Sequence, residues 1–194
     1  MTQNAKPGRP RGARVHRLIL DTAIELVFEA GFRAVSIESI AAKTGVAKTT
    51  IYRRWPNKAA VVMDGFMDRV GSGTLFPPAE KAMDRVRLQM RAMAKAFRGK
   101  DGGLVKALLG EAQFDPELAT EFQKRWTLPR RKLGTDVIRD AVRGGELRSD
   151  VDPETVIDLL YAPMYYRLQI GIEALSEAYI DGIFDLAMKG LKGG

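Results

Sequence analysis

The sequence contains no cysteine and only one histidine, His16, among its 194 residues. Without cysteine, the chain forms neither a disulfide framework nor a thiolate metal site, which fits an intracellular protein. It also lacks any apolar run near the roughly 18 residues that a membrane-spanning helix requires. The basic start, residues 1–14, has no apolar segment behind it, unlike a secretory signal. We expect a cytoplasmic protein with no membrane partner.

Groups that carry catalysis are equally scarce. His16 lies in a basic segment without a carboxylate or nucleophile at useful spacing. The sequence has no glycine-rich phosphate loop and no cluster of metal ligands. We therefore predict no enzymatic activity, no catalytic residue, no cofactor and no metal site.

Acidic residues are absent before Asp21, and the positive charge is concentrated at the start of the chain. Residues 1–70 hold 12 Lys/Arg and 6 Asp/Glu, a net charge of +6, whereas residues 71–194 hold 19 and 18, a net charge of +1. A basic first third favours a polyanionic partner for that part. A basic soluble surface without a partner is the simpler alternative.

Apolar residues recur at helical spacing along nearly the whole chain, and no convincing strand or internal repeat is present. The pattern predicts an all-α fold of about nine helices, with an N-terminal helix-turn-helix three-helix domain followed by a helical bundle. We place a flexible basic arm at residues 1–13, the first domain at 14–72 and the second at 79–194. The Gly- and Pro-rich residues 71–78 form the boundary.

Proline and capping residues predict the course of the later helices. Asp115 and Asp152 each precede a proline, which is typical of an N-cap followed by the first helical position. The first of these helices should reach about Val142 with a kink or break at Pro129, and the second should be interrupted at Pro163.

The clearest motif is the segment from Ser36 to Trp55, SIESIAAKTGVAKTTIYRRW, which has helix-turn-helix form. Ser36 is placed to cap a short helix, Gly45 supplies the positive φ of the turn, and a second short helix follows from about Ala47 to Arg54. The apolar residues that would lock the two helices together are Ile40, Ala41, Val46 and Ile51. The open face of the second helix carries groups suited to phosphates and base edges in a major groove: Lys48, Thr49, Tyr52, Arg53 and Arg54.

These residues resemble the tetracycline-repressor (TetR) family of bacterial regulators. The resemblance is carried by Gly31-Phe32, by Ser36 to Ala41, by Gly45 to Tyr52 and by Trp55 to Lys58, and it covers about residues 14–70. It implies DNA contacts from the second helix, a phosphate contact from Lys58 and a structural Trp55 in the domain core. Ala47 stands where many members have serine, so that side-chain cap is missing. The DNA-binding residues expected from motif and resemblance together are Ser36, Ala47, Lys48, Thr49, Thr50, Tyr52, Arg53, Arg54 and Lys58.

The basic arm suggests a further DNA contact through Arg9 and Arg11. Gly8-Arg9-Pro10 resembles the centre of a minor-groove AT-hook, in which extended backbone lets arginine enter a narrow A·T groove. A tail that attracts phosphates without sequence preference remains the alternative.

For residues 79–194 the resemblance implies a domain that binds a small molecule and dimerises. Apolar and aromatic side chains between helices are typical of ligand cavities, although most such residues simply fill a core. The candidates for the pocket are Met93, Phe97, Phe122, Trp126, Tyr161 and Tyr165. The last two helices, residues 153–168 and 175–191, are the candidate homodimer interface, and four small residues there would allow close contact: Ala178, Gly182, Ala187 and Gly190.

The sequence thus predicts a ligand-responsive regulator that binds a palindromic operator in double-stranded DNA as a dimer. The resemblance favours a repressor that is released by a small apolar or aromatic effector. An activator of the same family and a non-specific architectural DNA-binding protein remain alternatives, as does a protein that uses the basic arm at a membrane surface.

Overall fold

The computed structural model describes residues 9–71 and 75–192, with the side chains of residues 9–11 left out of that description. These residues form α-helices and one π-helical segment, and their only strand-like pairing is an isolated β-bridge between Leu147 and Lys192. The helices are α1 (Arg9–Ala34), α2 (Ile37–Thr44), α3 (Lys48–Tyr52), α4 (Lys58–Val70), α5 (Ala82–Phe97), α6 (Lys100–Glu111), α7 (Pro116–Phe122), a π-helical segment (Gln123–Thr127), α8 (Leu128–Arg143), α9 (Pro153–Ile170) and α10 (Glu177–Leu191). Because α7, the π-helical segment and α8 are continuous, the described part of the chain has nine helical rods, which confirms the all-α prediction. No helix in it is both long and apolar enough to cross a bilayer.

Local capping chemistry defines the small N-terminal helices. The Ser36 hydroxyl accepts a hydrogen bond from the Ser39 N–H, and the Ser39 hydroxyl accepts one from the Ser36 N–H, so two free donors at the start of α2 are satisfied. Gly45 ends α2 with φ 70°, and the Asn57 side chain accepts from the Ala60 N–H at the start of α4. The cap predicted at Ser36 and the positive φ predicted at Gly45 are therefore present.

The first helix begins earlier than the sequence suggested. The backbone of α1 is helical from Arg9, so residues 9–13 of the predicted flexible arm belong to the helix. Pro10 does not prevent this, because a proline in the first turn removes an N–H that has no intrahelical partner. Residues 1–8 of the predicted arm lie outside the described residues. At the other end, Gly31 interrupts α1 with φ 79°.

Helix α4 joins the two halves of the molecule. It packs on α1 through Gly65, where an added Cβ would lie 2.8 Å from Ile24 Cγ1 and 3.0 Å from the Leu20 carbonyl oxygen. On its other side, the buried ring of Phe66 lies 4.7 Å from the Trp126 ring and 6.1 Å from the Phe122 ring. The buried apolar residues consequently form one core that runs from the first domain into the bundle.

Two proline positions differ in their effect on the bundle. Pro129 stands in the first turn of α8, directly after the π-helical segment, so the hydrogen-bond pattern changes next to it but the helix is not broken. Pro163, in contrast, does not interrupt its helix, since α9 runs from Pro153 to Ile170 through it. Leu160 and Met164 on either side are fully buried, so packing holds the helix together across the missing hydrogen bond.

Candidate functional site

Helix α3 is held by one buried apolar side chain and exposes most of its other side chains. Ile51 is fully buried against the core of the first domain. The residues on the outer side of this short helix and its N-cap are exposed, and they are Ala47, Lys48, Thr49, Tyr52 and Arg53. Two hydroxyls, an ammonium and a guanidinium therefore share a surface from which they can donate hydrogen bonds to phosphates or base edges.

An acidic residue of α2 restrains the ammonium on this surface. Lys48 Nζ lies 3.2 Å from Glu38 Oε1, and both side chains are more than half exposed. The pKa of the Glu38 carboxyl lies below its usual range because the carboxylate accepts a hydrogen bond from its own backbone N–H and another from Lys48. This carboxylate competes with any anion that approaches Lys48.

Three expected DNA-binding residues have other surroundings. The Ser36 hydroxyl is half-buried and engaged in the cap of α2, and Thr50 is also half-buried. Arg54 lies in the turn after α3 and lines a groove along α1 with Arg14 and Arg17. Arg54 is therefore exposed beside α1.

Lys58 is engaged within the protein. Its ammonium donates to the carbonyl oxygens of Phe32 at 3.2 Å and Arg33 at 3.3 Å, and it lies 4.5 Å from the centre of the Phe32 ring. It thereby satisfies carbonyls that follow the break at Gly31. A phosphate contact from Lys58 requires the ammonium to leave or share these partners.

Trp55 occupies the core of the first domain, as the resemblance implied. Its side chain is 2% exposed, and its ring stacks on His16 with centres 5.1 Å apart. The indole Nε1 donates to Asp64 Oδ2 on α4 at 2.6 Å. Asp64 Oδ1 also accepts from Arg125 in the π-helical segment, and Arg125 pairs with Glu121. A chain of polar contacts thus runs from the end of α3 into the bundle.

The bundle contains a cavity of about 380 Å³ between α5, α6, α7, α8 and α9. Five of the six predicted pocket residues line it, namely Met93, Phe122, Trp126, Tyr161 and Tyr165. Phe97 is buried behind the wall, where its ring contacts that of Tyr165 at 5.9 Å. An aromatic and apolar wall of this kind suits a small hydrophobic molecule.

The tyrosines of the cavity are held by specific partners. Tyr161 donates to Gln89 Oε1 at 2.6 Å, and Trp126 Nε1 donates to the Tyr165 hydroxyl at 3.1 Å. Burial raises the pKa of both tyrosines, while the Trp126 hydrogen bond and the charge of Arg130 partly oppose the rise at Tyr165. Both hydroxyls are therefore neutral at physiological pH.

Among the cavity residues that sequence reasoning missed are Phe76, Gln89 and Arg130. Phe76 and Gln89 carry no local signal, because their position depends on how distant helices pack. Arg130, in contrast, did carry a local sequence signal. It follows Trp126 by four residues, a spacing at which a cation and an aromatic ring meet on one helix face, and the two are 3.5 Å apart.

A second exposed surface lies on α9 and α10, and we call it the α9–α10 face. Its apolar residues follow helical spacing and are well exposed, namely Leu159, Ala162, Tyr166 and Ile170 on α9 and Leu186 on α10. Of the small residues expected here, Ala178, Gly182 and Gly190 are exposed, whereas Ala187 faces the core at 9% exposure.

Comparison with known proteins agrees with this arrangement in both domains. The family model described as bacterial regulatory proteins, tetR family, matches residues 19–63, and that of the tetracyclin repressor-like C-terminal domain matches residues 77–187. YdeS, an uncharacterised helix-turn-helix transcriptional regulator of Bacillus subtilis strain 168, is 35% identical over 189 residues, which cover 97% of this chain and 94% of that protein.

Solved structures give the same result. The TetR family transcription regulator SCO0332 superposes with a TM-score of 0.75 at 30% identity, covering 91% of this chain and 98% of that one. FadR of Bacillus subtilis, crystallised with stearoyl-CoA, shares the fold with a TM-score of 0.70 at 18% identity, covering 89% and 97%. The chain therefore belongs to the TetR family of helix-turn-helix transcriptional regulators.

Proposed function

We propose that the protein is a cytoplasmic repressor that binds a near-palindromic operator as a homodimer and releases it when a small apolar or aromatic effector enters the cavity. The observation that carries the proposal is α3, whose buried Ile51 fixes the helix while Lys48, Thr49, Tyr52 and Arg53 are exposed together. A single helix of five residues covers little DNA. Two copies related by a two-fold axis would supply the missing affinity and read both halves of a palindrome.

The α9–α10 face supports dimerisation, because a second copy of the chain could cover it. Its large apolar side chains on α9 recur at helical spacing and are about half exposed or more, and an exposed apolar surface of this kind is typical of an interaction site. A Cβ added at Gly182 would meet nothing within 4 Å, so this position offers room for another helix to approach. Burying this face against its own copy would give a four-helix interface.

The cavity supports an effector that controls DNA binding. Its wall residues Phe122 and Trp126 touch Phe66 of α4, the last helix of the DNA-binding domain. A molecule that fits the cavity better in one arrangement of α4 shifts the population toward that arrangement. FadR of Bacillus subtilis, which shares the fold, forms a complex with stearoyl-CoA, and this supports an effector for the present protein.

Selection of fragments from a random duplex pool tests the proposal. We expect a near-palindromic motif whose half-sites lie about one helical turn, or a multiple of it, apart. The Lys48→Glu/Arg53→Glu variant should bind that motif at least about a hundredfold more weakly. Lys124→Glu/Lys132→Glu, which changes the net charge equally at exposed bundle positions, is the matched control.

The outcomes separate the alternatives. Equal binding by the Lys48/Arg53 variant, correctly folded, would exclude α3 as the reading helix. Enrichment without any motif would favour an architectural protein, and binding to anionic vesicles in preference to duplex DNA would favour a membrane-surface role. An operator that overlaps a promoter supports repression, and one that lies upstream of it supports activation. If the arm contacts DNA, the DNA affinity of the Arg9→Gln/Arg11→Gln variant should fall less steeply with salt concentration than that of wild type.

A further inference from the structure

A groove runs along the first turns of α1, and we call it the α1 groove. It is lined by side chains of α1 between residues 12 and 21, by Asp68 of α4 and by Arg54 of the turn after α3. A Cβ added at Gly12 would lie 3.8 Å from Arg54 Nη2, so this guanidinium reaches across to the start of α1. Two segments distant in sequence thus contribute side chains to one surface.

Positive charge is concentrated at one end of the α1 groove. Arg17 pairs with Asp68 at 3.4 Å, and the other acidic residue of the groove is Asp21. Asp21 follows Arg14 by seven residues, which is about 10 Å along the helix axis. Arg14 and Arg54 are both exposed, and among the described residues no carboxylate oxygen lies within 4 Å of either guanidinium. The two cations therefore share the start of the groove without an acidic partner.

An aromatic contact fixes the α1 groove beside α3. His16 of α1 stacks on the buried Trp55 ring, with ring centres 5.1 Å apart and an angle of 18° between the planes. The first turns of α1 are thereby held against the residues that follow α3. Arg53 and Arg54 are both exposed, and consecutive Cα atoms are only about 3.8 Å apart. The groove consequently begins next to the outer side of α3.

The phosphate backbone of a duplex is the polyanion that suits this arrangement. A helix that enters a major groove has a phosphate strand on each side of it, and contacts to those phosphates position the protein without reading sequence. A guanidinium can donate two parallel hydrogen bonds to one phosphate. Two exposed guanidinium groups beside α3 therefore match the chemistry at the edge of a half-site.

We propose that the α1 groove binds the DNA backbone at the edge of each half-site through Arg14 and Arg54, while α3 reads the bases. This proposal rests on the proposed function and adds α1 as a second DNA-binding element. It assigns Arg54 to a phosphate and not to a base edge. Arg17 contributes little, because its charge is paired with Asp68.

The salt dependence of operator binding tests the proposal. Each phosphate contact contributes about 0.9 to the slope of log affinity against log salt concentration. We expect Arg14→Gln/Arg54→Gln to reduce the slope by about 2 for each protomer bound and to weaken binding about tenfold or more at low salt. Arg14→Lys/Arg54→Lys should keep most of the slope because the charge remains. Lys124→Gln/Lys132→Gln, which removes two exposed cations of the bundle, should behave like wild type.

Base preference separates a phosphate contact from base reading. A phosphate contact strengthens binding to all sequences alike, so Arg14→Gln/Arg54→Gln should discriminate between the operator and its single-base-pair variants as wild type does. Replacing one phosphate at a time by an uncharged methylphosphonate locates the contact. At positions near the edge of each half-site, this replacement should weaken binding by wild type and leave binding by the double variant unchanged.

Three results would overturn the proposal: an unchanged salt slope for Arg14→Gln/Arg54→Gln, an altered preference for bases, or the same methylphosphonate pattern in both proteins. Thermal melts establish that each variant is folded, and the two single variants provide the test if the double variant is not. Failure of the proposed function is distinguishable, because wild type would then select no motif or the Lys48/Arg53 variant would bind it unchanged.

Discussion

The Trp55 indole and the Asp64 carboxylate are joined by a hydrogen bond of 2.6 Å, which links the residue after α3 to the middle of α4. Because Asp64 also accepts from Arg125, one carboxylate serves both the DNA-binding domain and the helix that lines the cavity. Any displacement of the π-helical segment that carries Arg125 is therefore transmitted to the side chain that orients Trp55.

Neutralising Asp64 should cost stability and weaken this link. Asparagine offers one acceptor oxygen where aspartate offers two, so one of the two donors loses its partner. We expect Asp64→Asn to lower the free energy of unfolding by about 1–3 kcal/mol, measured by urea denaturation. Asp68→Asn on the same helix, which removes an exposed pair with Arg17, should stay within about 0.5 kcal/mol. Equal losses for the two variants would argue against a special role for Asp64.

Removing the carboxylate beside Lys48 should strengthen DNA binding. Glu38 holds the Lys48 ammonium at 3.2 Å and repels phosphates at the exposed side of α3. We expect Glu38→Gln to bind the selected operator about threefold or more tightly at low salt, with a smaller effect at high salt. Asp150→Asn, which neutralises an exposed carboxylate between α8 and α9, should leave the affinity unchanged. Weaker binding by Glu38→Gln would mean that the Lys48–Glu38 pair positions the helix for DNA.

A bulky residue at Gly182 should separate the two copies without harming the monomer. Gly182 lies inside α10 with open space around its Cα, so a side chain there is tolerated, and leaving glycine gains up to about 1 kcal/mol of helix propensity. We expect Gly182→Arg to sediment as a monomer and to lose operator affinity. Gly103→Arg, a similar exposed glycine in α6, should remain dimeric. A dimeric Gly182→Arg protein would exclude this part of the α9–α10 face from the interface.

Acid should weaken the contact between α5 and α10. Hydrogen bonds from Arg91 and Arg87 hold the pKa of Asp181 below its ordinary value of 3.8. A carboxyl whose pKa is lower in the folded state stabilises the protein fully above its unfolded pKa, and this contribution disappears as the pH falls through the folded value. The difference in unfolding free energy between wild type and Asp181→Asn should therefore be largest above about pH 5 and shrink at lower pH. A difference that stays constant from pH 7 to pH 3 would contradict this.

Much of the architecture could be predicted from local chemistry. Ser36 and Gly45 were recognisable because a cap or a positive φ depends on a few neighbouring residues. The same holds for the exposed face of α3, which follows from the spacing around Ile51. Features set by distant packing could not be predicted in this way.

Three residues illustrate those limits. Pro163 was expected to interrupt α9, but burial of neighbouring side chains outweighs the lost hydrogen bond. Lys58 satisfies carbonyls some twenty-five positions earlier in the chain, and Arg130 reaches the end of α4 from α8. Each contact joins segments whose separation in sequence gives no periodic signal.

The π-helical segment Gln123–Thr127 makes the cavity sensitive to the number of residues in the chain as well as to their kind. Each residue advances an α-helix by about 100°, so the wider turn changes the phase between α7 and α8. Deleting one residue from this segment would restore a regular helix and swing Glu121 and Phe122 around the axis relative to Arg130. Relatives with a segment one residue shorter would then present a different wall to their ligands, even where every remaining side chain is the same.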